Sequence, residues 1–148
     1  MEKKDLDWSG LGFGYRQTDK RYVTNFKDGA WDNGVLTEDA NIVLNECAGV
    51  LQYAQTCFEG LKAYTTQDGK TVVFRPDLNE QRMHDSCVRL EMPTLPAGRF
   101  VEAVRQVVKA NEAYVPPYGS GATLYVRPYM FGMNPVIGVK PADEYQFR

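Results

Sequence analysis

A chain of 148 residues fits one domain with a sizeable core, and 43% hydrophobic with 24% charged residues is ordinary for a soluble globular protein. A formal net charge of −2 argues against a nucleic-acid binder, which usually presents a basic face. No apolar run approaches membrane-spanning length, and Met1 to Asp5 lacks the apolar segment of a signal peptide, so a cytoplasmic protein is expected.

Gly10 to Asp19 is too glycine-rich for a helix and reads as an irregular lead-in. Tyr22 to Phe26 is a short strand, and Asp28-Gly29 and Asp32-Asn33-Gly34 supply turns. From Asn45 to Phe58 the apolar residues Val50, Leu51, Ala54, Cys57 and Phe58 recur at three- and four-residue spacing. That predicts an amphipathic helix capped by Asn45 and ended by Gly60. Leu61 to Thr65 and Thr71 to Phe74, joined through Asp68-Gly69, predict a hairpin.

Pro76-Asp77 opens a helix, with Asp77 as cap, Glu80 completing a capping box, and Leu78, Cys87 and Leu90 as its apolar positions before Pro93. A further helix from Gly98 to Ala113 places Phe100, Val101, Val104, Val107 and Val108 on one face. Val115 to Gly121 is a loop, Ala122 to Phe131 one strong strand, and Asn134-Pro135 a turn. Asp143 to Arg148 looks like the start of another strand. Hairpin strands and two sizeable helices predict one α+β domain over 1–148, helices packed on one face of a mostly antiparallel sheet.

Chemistry narrows the candidates. Cys47, Cys57 and Cys87 have no CxxC spacing and are expected as free thiols in a reducing compartment. His84 is the only histidine, which leaves a zinc site or a Ser-His-Asp triad unsupported. On a strand, Tyr125 and Arg127 project from the same face, and a phenol beside a guanidinium suits a carboxylate. On spacing alone, though, Arg127 reads as a surface cation, Arg82 as a helix-surface residue, and Tyr53 and Phe58 as part of a helix's core face.

Three stretches shift that balance: YAQTCFEGLK from Tyr53, FRPDLNEQRM from Phe74, and LYVRP from Leu124, followed by GMNPVIGVKP. Their order and spacing resemble the amino-terminal half of the branched-chain amino acid aminotransferases, which use pyridoxal 5'-phosphate (PLP) and belong to the fold-type IV PLP enzymes. The resemblance runs from about Leu11 to the last residue. It implies that Arg82 binds the cofactor phosphate and that Tyr125 and Arg127 handle the substrate carboxylate. It also implies that Tyr53 and Phe58 line the aliphatic pocket, with Phe13, in its FG…TD lead-in, touching it.

The same resemblance implies the small N-terminal domain of a two-domain, homodimeric, cytoplasmic enzyme of branched-chain amino acid biosynthesis. Such an enzyme passes the amino group of Leu, Ile or Val to 2-oxoglutarate. The chain departs from the family pattern in one respect. None of Lys3, Lys4, Lys20, Lys27, Lys62, Lys70, Lys109 and Lys140 matches the Schiff-base lysine, which belongs to the second domain, so the chain alone is expected to be inactive. The alternatives are a D-amino acid aminotransferase or an aminodeoxychorismate lyase of the same fold, or a stand-alone domain without chemistry.

Overall fold

The computed structural model describes residues 2–12 and 14–148; the role expected of Phe13 falls outside them. Its first strand, β1 (Arg21–Lys27), turns back through Asp28 and Gly29 into β2 (Ala30–Trp31). Both turn residues have positive φ, 53° and 80°, the twist a two-residue hairpin turn needs and the reason glycine stands second. β3 (Val35–Thr37) pairs with the outer half of β1.

The long predicted helix is not there. A five-residue helix, α1 (Gly49–Tyr53), ends at Ala54, whose left-handed φ of 52° reverses the chain, and β4 (Thr56–Phe58) follows. Ala48, not Asn45, precedes the helix; the Asn45 side chain instead accepts from the Cys47 amide, closing a turn. The three- and four-residue spacing of Ala54, Cys57 and Phe58 was overridden by pairing of Thr56, Cys57 and Phe58 with a later strand.

β5 (Leu61–Thr65) and β6 (Thr71–Val73) form the predicted hairpin. α2 (Pro76–Arg89) starts where Pro76 predicts, but Arg75 is its cap residue. Asp77 is drawn into a two-pronged ion pair with Arg75, and Glu80 accepts from the Phe100 amide, so no capping box forms. The buried stripe of α2 is Asn79, Met83 and Cys87, while Leu78 and Leu90 are exposed. α3 (Arg99–Ala110) buries Phe100, Ala103, Val104 and Val108 and is followed by a 3₁₀ turn, Glu112–Tyr114.

The predicted strand over 122–131 is two strands, β7 (Leu124–Val126) and β8 (Tyr129–Gly132), before β9 (Tyr145–Phe147). Proline lacks the amide that a continuous ladder would use, and the chain changes sheets at Arg127-Pro128. Every described pairing is antiparallel. One six-stranded sheet runs β2-β1-β9-β8-β4 with β3 on β1, and a three-stranded sheet runs β6-β5-β7.

α2 and α3 pack on each other and against β4 and β1, closing a core in which Phe100, Met130, Phe147 and Val115 are almost wholly buried. This is an α+β domain with antiparallel sheets and helices, as the sequence predicts. Among the described residues no helix is long and apolar enough to cross a membrane.

Candidate functional site

The site follows from one topological fact: two neighbouring stretches leave the six-stranded sheet for the three-stranded one at the same place. Phe58 pairs with Tyr129, the Glu59 amide donates to the Pro128 carbonyl at 2.8 Å, and Leu61 and Lys62 pair with Val126 and Tyr125. The FEGLK and LYVRP stretches, more than sixty residues apart, therefore lie side by side where both change sheets. Alternation along β5 and β7 then puts Leu61, Ala63 and Val126 in the core and Lys62, Tyr64 and Tyr125 on the open face.

At this crossing the Arg127 guanidinium lies 4.9 Å from the Phe58 ring centre and 5.2 Å from that of Tyr125, and its Nη2 donates toward the Tyr125 hydroxyl at 3.4 Å. A guanidinium over two aromatic faces is held there by cation–π attraction, and the residue as a whole is exposed. Phe58 is 60% exposed, an apolar surface on the open side rather than the core side of the chain.

Gly60 makes the next link. A Cβ built there would stand 2.4 Å from the Tyr125 hydroxyl and 3.1 Å from Cζ, so only glycine lets the phenol lie over this backbone. Gly60→Ala is expected to push Tyr125 away from Arg127, with a changed near-ultraviolet circular dichroism spectrum; an unaltered spectrum would mean the ring can yield without losing its place.

Arg82 reaches the same turn from α2. Its Nε donates to Glu59 Oε1 at 3.0 Å and its Nη2 to Oε2 at 2.6 Å, while Asn79 Nδ2 donates to Oε2 at 2.7 Å. Glu59 is 8% exposed. Desolvation pushes its carboxyl up, but the bonds from Arg82 and Asn79 outweigh that and hold it below the ordinary range. Arg82 is itself largely exposed, and its described bonds all run to Glu59. One edge of the fork is thus fixed and the other faces solvent.

Arg82, Glu59, Gly60, Tyr125, Arg127 and Phe58 form one continuous run of contacts. Tyr53 is not part of it: its hydroxyl donates to the Ile137 carbonyl in the loop after β8. Tyr125 and Arg127 also line a cavity of about 360 Å³ together with Tyr15, Arg16, Tyr22 and Arg148, and Arg82 lies outside its lining. Sequence reasoning missed Glu59 and Asn79. Neither stood at a periodic apolar position, and only a partner brought by the fold gives a buried carboxylate its reason.

Comparison with known proteins gives the same outline. No family model matches the chain. It is 51% identical over 144 residues to the branched-chain-amino-acid aminotransferase of Haemophilus influenzae, covering 97% of this chain and 42% of that protein. Against the enzyme of that name from Helicobacter pylori it is 46% identical over the same shares. The chain thus spans about two fifths of the length of these curated relatives.

Among solved structures, the Escherichia coli branched-chain amino acid aminotransferase superposes with a TM-score of 0.61 at 26% identity, over 86% of this chain and 38% of that one. A second branched-chain amino acid aminotransferase (T.th.), complexed with N-(5'-phosphopyridoxyl)-L-glutamate, gives 0.60 at 26% identity, over 88% and 40%. With half its residues shared with one relative across nearly its whole length, and with the fold of the solved fold-type IV enzymes, this chain belongs to the branched-chain amino acid aminotransferase family.

Proposed function

We propose that this chain is the small amino-terminal domain of a two-domain, PLP-dependent branched-chain amino acid aminotransferase, and that it supplies the substrate-recognising side of the active site. The supporting observation is the unbroken run from Arg82 through Glu59 and Gly60 to Tyr125, Arg127 and Phe58, which brings the Arg82 guanidinium and a phenol–guanidinium pair around one turn.

PLP suits the donors present. Arg82, braced on one edge by Glu59 and Asn79, offers its outer edge to a phosphate dianion. When bound, PLP supplies an electron sink for the α-carbon of an amino acid. The residues of this chain bind and orient. Tyr125 and Arg127 donate to the substrate carboxylate, one as a neutral hydroxyl and one as a charged fork. Phe58 offers apolar surface to the side chain of Leu, Ile or Val, which has nothing else to recognise, while Tyr53 is held apart on the Ile137 loop. 2-Oxoglutarate, the amino acceptor, would present its carboxylates to the same donors. None of the eight lysines is assigned a covalent role, so the chain by itself is inactive in this reading. A homodimer in the cytoplasm completes the proposal; three free thiols suit that compartment.

Arg127→Ala in the intact enzyme is expected to raise the Michaelis constant for leucine roughly 10- to 100-fold, the worth of one charge-assisted hydrogen-bonding group. Stability is expected to change little, because the side chain is exposed. An unchanged constant would remove Arg127 from the substrate site.

A further inference from the structure

Cys57 and Cys87 are thirty residues apart in the chain and touch in the fold. Between outward-facing Thr56 and Phe58, Cys57 points from β4 toward the buried stripe of α2, where Met83 and Cys87 follow Asn79 at four-residue spacing. The two Sγ atoms are 3.8 Å apart. Met83 Sδ lies 3.8 Å from Cys57 Sγ, and Met130 Sδ 3.9 Å from Cys87 Sγ. Cys87 is 1% exposed, whereas Cys57 is half-buried, which makes Cys57 the less enclosed residue of the two. Contact with the Cys87 thiol lowers the pKa of Cys57, while that same contact and then burial push Cys87 up. Of the two, Cys57 is therefore the more readily deprotonated, and its Sγ lies in contact with that of Cys87.

We propose that Cys57 and Cys87 form a peroxide-reactive dithiol, with Cys57 attacking and Cys87 resolving, whose disulfide staples β4 to α2 beside the Glu59–Arg82 pair. The Cys57 thiolate attacks one oxygen of hydrogen peroxide, the O–O bond breaks, and hydroxide leaves to take up a proton, giving a sulfenic acid. The Cys87 sulfur then attacks the Cys57 sulfur, the S–O bond breaks, and the departing oxygen leaves as water with the Cys87 proton. Two electrons pass from the two sulfurs to the peroxide, which ends as two waters. Forming the bond closes the sulfurs from 3.8 Å to about 2.05 Å. Because Glu59 follows Cys57 by two residues on the same side of the chain, the staple lies one step along the seam that holds Arg82. The reaction needs neither cofactor nor amino acid, so it is separable from transamination.

The test is to reduce the intact protein, expose it to hydrogen peroxide, and digest it without reductant for mass spectrometry. The expected result is loss of the mass of two hydrogen atoms, a Cys57–Cys87 cross-linked peptide, and Cys47 still open to alkylation. In Cys87→Ser the Cys57 sulfenic acid is expected to accumulate and to be trapped by dimedone; in Cys57→Ser no adduct forms at Cys87. Wild-type protein in which Cys57 advances to the sulfinic acid with no cross-link, or in which Cys47 oxidises as fast as Cys57, would overturn the proposal whatever the variants do.

Discussion

Arg82→Ala in the full enzyme is expected to weaken PLP retention roughly tenfold or more, through loss of a charge-assisted fork on a phosphate dianion. Arg82→Lys is expected to recover part of this, because an ammonium keeps the charge but cannot grip Glu59 with two parallel bonds while presenting a second edge outward. The loss has two sources. The phosphate loses a donor, and Glu59, 8% exposed, keeps only Asn79 and the Gly60 amide, so its carboxyl rises from its lowered pKa.

The sign of the pH effect follows. A carboxyl held low in the fold stabilises it fully above the unfolded value, and that contribution fades as pH falls through the folded one. Retention at neutral pH therefore compares the variants with the Glu59 contribution intact in the parent. Titrating cofactor absorbance during dialysis measures the effect; undiminished retention would mean that another group grips the phosphate.

Phe100→Ala is expected to cost about 3–5 kcal/mol of folding stability, the usual toll of emptying a large aromatic site that cannot collapse. Phe100 is fully buried, 6.2 Å from the Phe147 ring, which itself meets Tyr22 edge-on at 6.3 Å. One ring thus ties α3 to β9 and, through it, to β1. Denaturant unfolding measures the loss, and a cost below about 1 kcal/mol would mean that the neighbouring side chains refill the space.

What could be read before folding was local. Asp68-Gly69 between two β-rich runs specified the β5–β6 hairpin, and Pro76 specified the start of α2. The valine stripe specified α3 because its apolar period matches the helix and nothing longer-ranged competes. The same local logic failed over 45–58 and over 122–131. In the first, an apolar spacing suited to a helix lost to ladder bonds with β8, a partner more than seventy residues away. In the second, a run that looks like one strand is divided between two sheets. Asn79 took a buried place on α2 while Leu78 stayed outside, because Glu59 needed a donor there.

By itself the sequence determined the α+β class, the hairpin, the two long helices, and through its motifs the family and the side chains worth naming. Only the tertiary structure decided that Arg82 is tied to Glu59, that Arg127 stacks between Phe58 and Tyr125, and that Cys57 meets Cys87. Propensity and pattern act over a few residues, whereas the Arg82–Glu59, Arg127–Phe58 and Cys57–Cys87 contacts join residues more than twenty positions apart. Such pairings exist only once two strands change sheets together and a helix packs across them.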